Sequence, residues 1–258
     1  NPSAEPRFIS CAEASGNATR GTEWPFNDPE IYRQWCYIND GTAPIAQEWA
    51  GVVAGADAGC EEAWKLCTGD GDIIVAVMDE AVMWSHPDLA DNIWINDGEE
   101  LNAGVDADGN GYVDDKYGYN FVQNTGVIST DSAYDTGHGT HVAGIIGAVG
   151  NNGQGISGAC YNVTMVSLRV FDDSGNGNLG YVLDAIDYAS AAGIPILNMS
   201  LSVRPIISAE SIQEFKDALE AYPGLVICAA GNVSSGGINI DESPRYPAAY
   251  GIDNLITV

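Results

Sequence analysis

The sequence predicts an α/β fold with a mainly parallel sheet and helices on both faces. Four short apolar runs read as strands buried on both sides, at residues 73–78, 163–171, 194–199 and 225–230. Segments with the apolar spacing of amphipathic helices alternate with these runs, and that alternation is typical of parallel sheets. Ligands of such sheets gather at the carboxyl ends of the strands, so we expect the functional site at that edge.

The amino-terminal part of the chain differs in composition from the rest. Residues 1–57 are rich in Pro, Gly, Asn, Asp and Trp and show no sustained periodicity, which predicts an extended arm lying on the core. Residues 58–258 are predicted to form the main domain, opening on a helix that carries Cys60 and Cys67. The first strand of this domain, at residues 73–78, is followed directly by Asp79.

Three longer helices and a last strand follow in order. The first helix begins at His138, the second ends before Gly193, and the third begins at Ser211, where Ser211 and Glu214 form a capping-box pattern. Residues 255–258 read as a strand. The apolar positions at helical spacing are Val142, Ile145, Ile146 and Val149 in the first helix, Leu179, Val182, Leu183, Ile186 and Ala189 in the second, and Ile212, Phe215 and Leu219 in the third.

Composition excludes several classes of partner. Of the 258 residues, 9 are Lys or Arg and 36 are Asp or Glu, which gives a formal net charge of −27. This charge repels nucleic acids and acidic membranes and attracts cations such as calcium or basic peptides. Every apolar run is shorter than the roughly 20 residues that cross a bilayer, so we expect no membrane-spanning segment.

The six cysteines are an even number, which suggests disulfide bonds and an oxidising compartment. Spacing does not give their connectivity. Cys60 and Cys67 would lie about 10 Å apart along a helix, too far to bridge each other. Cys228 lies inside an apolar run and is predicted to be a buried free thiol, whereas Cys11 and Cys36 are the preferred disulfide partners.

Three polar residues carry the candidate chemistry. Each alone has other readings, because Asp79 could serve a metal, a nucleotide or a turn, and His138 with His141 could be a metal pair or two buried histidines. Together, Asp79, His138 and Asn232 are an acid, a base and an amide donor. Acyl transfer by a serine needs a base, an acid that orients it and donors for the oxyanion.

The surroundings of these residues resemble one family. The segments IVAVMDEAVMWSHPDL at residues 74–89, HGTHVAG at 138–144, NMSL at 198–201 and AAGN at 229–232 resemble the subtilisin-like serine peptidases, or subtilases, in that family's order. The resemblance runs from about residue 27 to the last residue. It implies that Asp79 orients the base, that His138 is general base and then general acid, and that the Asn232 amide stabilises the oxyanion.

The resemblance also implies a binding mode for a polypeptide substrate. Such a substrate would add as a strand between two backbone edges, with a pocket beside them for the side chain before the scissile bond. A flexible loop is the other reading of the first edge. The implied residues are Gly175, Asn176 and Gly177 on one edge, Ser200, Leu201 and Ser202 on the other, and Ala229, Ala230 and Gly231 around the pocket.

An acidic loop predicts a calcium site. It places oxygen ligands at alternating positions with a glycine at the sixth, as calcium-binding loops do, although its twelfth position is Tyr117 rather than glutamate. A solvated Asp/Gly turn is the alternative, and the resemblance implies calcium because similar loops occur in secreted subtilases. The expected ligands are Asp106, Asp108, Asn110, Tyr112 and Asp115.

Two features depart from the family pattern. Glu80 and Ala81 follow Asp79 where the family usually has a small hydroxyl residue or glycine and then glycine, and Glu80 is expected to perturb the catalytic geometry without abolishing it. The Gly-Thr-Ser-Met-Ala segment that carries the family's nucleophile does not occur in the 258 residues, and Ser200 and Ser234 lack its context. We therefore expect no peptide hydrolysis by this chain alone.

Three hypotheses follow. The first is a serine endopeptidase, secreted or on the extracellular side of the cell envelope, of which this chain is the amino-terminal part. The start at Asn1 without methionine and the end on a strand favour a processed product, with the serine supplied by a carboxy-terminal fragment or second chain. The second is an inactive subtilase-like module that binds peptides, and the third is a calcium-dependent structural module.

Overall fold

The computed structural model describes residues 26–41, 51–130, 136–172, 174–203, 208–232, 237 and 239–258. Its centre is a six-stranded sheet in the order β2-β3-β1-β4-β5-β6, in which every neighbouring pair is parallel. This confirms the predicted fold class. The strands are β1 Ile74–Asp79, β2 Gly118–Asn120, β3 Thr164–Arg169, β4 Ile196–Met199, β5 Leu225–Cys228 and β6 Leu255–Thr257.

The described residues form four α-helices, and the three longer ones pack on the sheet. The sequence predicted all four, but the shortest ends at Trp64 and does not reach Cys67 as expected. The third of the longer helices begins at Ala209 rather than Ser211, because Ser208 caps it by accepting a hydrogen bond from the Ser211 N–H at 3.1 Å. The helices are α1 Cys60–Trp64, α2 His138–Gly147, α3 Leu179–Ala191 and α4 Ala209–Ala221, with 3-10 turns at Ile31–Arg33 and Ala90–Asn92.

The two faces of the sheet bury different clusters. Alternate side chains of β1 point to opposite faces, so Ala76 and Met78 join one cluster and Val77 joins the other. The first cluster contains Ile186 from α3 and Phe215 from α4, whereas the second contains residues of α2. Helices therefore cover both faces, and β1, which ends in Asp79, lies between them.

Helix α2 packs through its small residues. Its buried residues are Gly139, Ala143, Gly144 and Gly147, whereas Ile145 is exposed. A Cβ on Gly147 would lie 2.5 Å from a Val163 methyl, so only glycine permits the observed approach. This close packing brings the first turn of α2 down to the end of β1.

Residues 26–41 lie against α2 and the loop after it. The Tyr37 hydroxyl donates to the Ile145 carbonyl at 2.9 Å, and the Gln34 amide exchanges two hydrogen bonds with the Ser157 backbone. Asp28 is buried and accepts hydrogen bonds from the backbone N–H groups of Asn151 and Asn152. These contacts fix residues 26–41 beside α2, while the predicted arm of residues 1–57 stays a prediction.

No helix in the described ranges combines the length and apolar character that a membrane crossing requires.

Candidate active site

Asp79 and His138 form a direct pair at the carboxyl edge of the sheet. The two carboxylate oxygens lie 2.8 Å and 2.9 Å from Nδ1 of the imidazole. Asp79 is buried at 2% exposure, and its Oδ1 also accepts a hydrogen bond from the Glu80 N–H at 2.8 Å. Because the carboxylate is fixed by the strand and by this N–H, it holds the imidazole in one orientation.

The glycines on either side of His138 explain how it reaches Asp79. Gly137 caps α2 in the left-handed conformation, with φ of 74°. A Cβ on Gly139 would lie only 2.3 Å from the Ala81 carbonyl oxygen, so glycine allows the helix to approach the chain after β1. The His138 side chain is 49% exposed. Since Nδ1 faces Asp79, Nε2 remains available to a substrate.

Glu80, the departure noted in the sequence, is held away from the imidazole. Its Oε2 accepts a hydrogen bond of 2.8 Å from the Thr136 hydroxyl, and the same hydroxyl oxygen accepts one of 3.3 Å from the His138 N–H. Its Oε1 lies 3.5 Å from the position that a Cβ on Gly175 would take. Glu80 therefore connects the end of β1 to the residues before α2 and faces the glycine segment after β3. Sequence reasoning did not assign Thr136.

The first predicted substrate edge is a tight reversal after β3. Gly175 has φ of 72°, and its N–H donates to the Asp172 carbonyl at 2.9 Å. Asp172 also accepts from the Asn176 N–H through its side chain at 2.9 Å, and Gly177 forms an antiparallel bridge with Phe171. This segment leads into α3, on the face of the sheet opposite α2.

The other predicted binding residues follow β4 and β5, which are neighbouring strands. Ser200 accepts a hydrogen bond from the Asn198 amide at 3.0 Å. A Cβ on Gly231 would lie 3.6 Å from the Ser202 hydroxyl oxygen, so these two segments are in contact. Leu201 is buried, Ala229 and Ala230 are half-buried, and Asn232 is exposed at the carboxyl edge of the sheet.

A cavity of about 460 Å³ lies beside the first turn of α2. Its lining includes Thr136 and Gly137, which precede His138, and the side chains of Met83, His86 and His141. The volume falls in the range of small ligand pockets. His141 is exposed and lines this cavity, which no sequence pattern predicted.

The acidic loop brings together a set of carboxylates that differs from the predicted one. Ligand oxygens of Glu99, Asp106 and Asp108 lie within 4.8 Å of one another. Asp115 is fully buried and accepts hydrogen bonds from Asn96, Asn110 and the Tyr188 hydroxyl. Burial raises the pKa of Asp115, and the hydrogen bond from Asn96 lowers that of Asp108.

Glu99 is the residue of this cluster that sequence reasoning missed. It is 1% exposed, and its Oε1 accepts hydrogen bonds from the Ala107 and Asp108 N–H groups at 2.6 Å and 3.1 Å. Its Oε2 is buried without a hydrogen-bond partner. The sequence offered no signal because Glu99 stands outside the alternating Asp/Asn pattern. Asn110 donates hydrogen bonds to Asp108 and Asp115, and Tyr112 donates its N–H to Asn110.

The structure defines a class of α/β protein in which an aspartate orients a histidine at the carboxyl edge of a parallel sheet. Comparison with known sequences identifies the family. Residues 70–258 match the profile of the subtilase family. The chain belongs to the subtilase family.

Three relatives show how far the likeness extends. The chain is 42% identical over 130 residues to subtilisin-like protease 1 of Plasmodium berghei, covering 50% of this chain and 21% of the relative. It is 33% identical to the halolysin-like extracellular serine protease Nep of Natrialba magadii, over 77% of this chain and 31% of the relative. Thermitase of Thermoactinomyces vulgaris is 30% identical to the chain, over 76% of this chain and 57% of thermitase. The chain thus spans less than two thirds of each relative's length.

A solved structure agrees with the fold. The crystal structure of a lanthipeptide protease superposes with a TM-score of 0.54 at 22% sequence identity, covering 76% of this chain and 50% of that one.

Proposed function

We propose that this chain provides the acid–base part of a secreted subtilisin-like serine endopeptidase. The observation that carries the proposal is the Asp79–His138 pair, with Nδ1 on the carboxylate and a half-exposed imidazole. Membership of the subtilase family supports it. The substrate would be a polypeptide, and the nucleophilic serine would come from polypeptide outside these 258 residues.

In the proposed reaction, His138 Nε2 takes the proton of the serine hydroxyl as the oxygen attacks the scissile carbonyl. The imidazolium that forms is stabilised by the Asp79 carboxylate, which stays ionised. The same nitrogen then gives its proton to the leaving amine, and a water molecule repeats the sequence to release the acyl group. Glu80 does not compete for the imidazole because its Oε2 is engaged by Thr136.

Other segments at the same edge of the sheet would bind the oxyanion and the substrate. The Asn232 amide would donate to the developing oxyanion, a contribution of ~2.7–4 kcal/mol for donors of this kind. The substrate would lie between residues 175–177 and residues 200–202, with residues 229–231 bordering the pocket for the side chain before the scissile bond. Contact between Gly231 and Ser202 supports a continuous binding surface.

The acidic loop would hold a structural calcium ion. Carboxylate oxygens are the ligands calcium prefers, and the buried, unpartnered Oε2 of Glu99 fits such an ion beside Asp106 and Asp108. Asn110 and Tyr112 belong to the same loop and Asp115 underlies it, so they would support or complete the ligand shell. Bound calcium would offset the repulsion between these carboxylates and stabilise the loop.

An extracellular location is part of the proposal. The name of the Natrialba relative describes an extracellular protease, and the net charge of −27 favours solubility and calcium binding. Disulfide bonds among the cysteines would fit the same oxidising location.

Labelling with a serine-directed fluorophosphonate, together with hydrolysis of a casein substrate, tests this function. The protein used should be the longest polypeptide that contains this chain. We expect labelling and hydrolysis in the wild type, loss of both in His138→Ala, and retention of both in the matched control His141→Ala. Peptide binding without labelling or turnover would overturn the proposal and favour a binding module.

A further inference from the structure

Four cysteines lie in two neighbouring pairs in the fold. All five cysteines of the described residues are free thiols in this structure. Cys36 and Cys67 are exposed, whereas Cys60 and Cys160 are half-buried and Cys228 is buried in β5. Backbone contacts, and at one pair the sulfur positions, show which of them are neighbours.

Cys67 and Cys160 meet at Gly69. The Gly69 N–H donates to the Cys67 sulfur at 3.4 Å, and the Cys160 sulfur lies 2.6 Å from the position that a Cβ on Gly69 would take. The Asn162 N–H donates to the Thr68 carbonyl at 3.1 Å, so the two backbone segments are directly bonded here. Both sulfurs therefore lie against one residue that has no side chain to separate them.

Cys36 and Cys60 meet where the amino-terminal segment passes α1. The Ala58 N–H donates to the Cys36 carbonyl at 2.8 Å, and the Tyr37 ring packs edge-on against Trp64 of α1 at 5.7 Å. Burial raises the pKa of both thiols, and the neighbouring Cys36 raises that of Cys60 further. Burial raises the pKa of Cys160, and the neighbouring Cys67 raises it further. These influences agree with the proximity that the backbone contacts show.

We propose that these four residues are modification sites that oxidise to two structural disulfides, Cys36–Cys60 and Cys67–Cys160. Cys228 stays a thiol, since it is buried in the sheet beside Thr257. One bond ties residues 26–41 to α1, and the other ties the segment after α1 to the loop before β3. The same amino-terminal segment contacts α2, which carries His138, through the Tyr37 hydroxyl, so the Cys36–Cys60 bond would anchor a segment that packs on that helix.

The oxidant is a small disulfide such as oxidised glutathione. The exposed thiolate of Cys36 or Cys67 attacks one glutathione sulfur, the glutathione disulfide breaks, and one glutathione thiolate leaves. The half-buried partner, Cys60 or Cys160, loses its proton and displaces the second glutathione. Two protein thiols become one disulfide, and one oxidised glutathione is reduced to two glutathione thiols.

Peptide mapping under non-reducing conditions tests the pairing directly. The protein is incubated with oxidised glutathione, its remaining thiols are alkylated, and it is digested after unfolding. We expect linked peptides that join Cys36 to Cys60 and Cys67 to Cys160, with Cys228 alkylated. Alkylation of all four thiols would overturn the proposal, as would a Cys11–Cys36 or Cys60–Cys67 link.

A double-mutant cycle gives a second readout that does not depend on digestion. In oxidised protein, Cys36→Ser, Cys60→Ser and the double variant should lower the melting temperature equally, by roughly 6–12 °C, because each removes the same bond. The difference from wild type should vanish in dithiothreitol. Cys228→Ser is the control whose effect should be the same with and without reductant. Additive losses in the double variant would contradict a shared bond.

Discussion

The Thr136 hydroxyl donates a 2.8 Å hydrogen bond to Glu80 Oε2, joining residues that are 56 positions apart in the chain. One partner follows the acid of the Asp79–His138 pair, and the other lies two residues before the base. The contact therefore fixes the spacing between β1 and α2 next to the pair itself. We therefore expect Glu80 to position the segment before His138, which would account for a charged residue beside Asp79.

We predict that removing this contact weakens catalysis through the position of His138. Thr136→Val and Glu80→Met, neither of which keeps a hydrogen bond between the two side chains, should each lower kcat, and the coupling between them in a double-mutant cycle should be about 1.5–3 kcal/mol, as for hydrogen bonds to a charged group. The measurement is steady-state peptide hydrolysis by the longest polypeptide containing this chain. Purely additive effects would show that the two side chains act separately.

Replacing the acid should test the orientation of the imidazole. Asp79→Asn keeps the size of the side chain but can leave the wrong imidazole nitrogen protonated, so we expect kcat to fall by roughly 10⁴-fold with little change in KM. Asp91→Asn, an exposed aspartate on the turn Ala90–Asn92, is the matched control and should leave kcat unchanged. An equal change in kcat in the two variants would show that Asp79 has no catalytic role.

Because α2 approaches β1 closely, we predict that alanine substitutions at two glycines of this helix change the stability in opposite directions. Gly139→Ala would place a methyl 2.3 Å from the Ala81 carbonyl and should cost about 1–3 kcal/mol of unfolding free energy, with loss of activity. At Gly144 a methyl meets only Ile156 at 3.7 Å, so Gly144→Ala should be neutral or stabilising by about 0.5–1 kcal/mol. Urea unfolding measures both, and equal changes would show that α2 tolerates displacement.

Burial also predicts a pH dependence for one tyrosine. It raises the pKa of Tyr222 to about 12, and the Tyr222 hydroxyl donates to the Ile194 carbonyl. The unfolded value is roughly 10, so the stability contributed by the neutral phenol is fully present below about pH 10 and is lost as pH rises through about 12. Tyr222→Phe should cost about 1 kcal/mol at pH 8 and less near pH 12. A cost that stays constant over this range in urea titrations would contradict the shifted pKa.

Much of the fold could be predicted because burial on both faces leaves a direct pattern in the sequence. The runs that became β1, β3, β4 and β5 are mostly apolar and do not alternate strictly with polar residues, as is typical of strands covered by helices on both faces. Strand β2, Gly118–Asn120, was missed because its three residues carry no such run. The start of α4 was predicted at the wrong serine because Ser208 and Ser211 both suit a helix start. Only the structure shows that Ser208 accepts the capping hydrogen bond.

The site was predictable where chemistry is concentrated in one segment. His138 and Asp79 stand out by their flanking residues, and the structure brings them together. Glu99 and Thr136 were not predictable, because their contacts arise from packing between distant segments. The cysteine pairs were hidden for the same reason. Helix α1 ends at Trp64, before Cys67, and the fold brings Cys160 to Gly69 from 91 positions along the chain.

Removal of calcium should act mainly through Glu99. In the wild type we expect calcium to raise the melting temperature, and saturation at about 100 times the dissociation constant would contribute about 2.7 kcal/mol. In Glu99→Gln the side-chain oxygen can still accept from the Ala107 and Asp108 N–H groups, but the charge on the buried, unpartnered oxygen is gone. Calcium should therefore stabilise this variant much less.

The same substitution should have the opposite effect in a chelator. Without metal, a glutamine amide facing Asp106 and Asp108 replaces a third carboxylate, so Glu99→Gln should be at least as stable as the wild type in EDTA. Glu100→Gln is the matched control because Glu100 is adjacent and exposed, and it should keep the full calcium response. Thermal unfolding of the three proteins, with calcium and with EDTA, measures both effects. A calcium-induced shift in Glu99→Gln as large as in the wild type would show that the ion binds elsewhere.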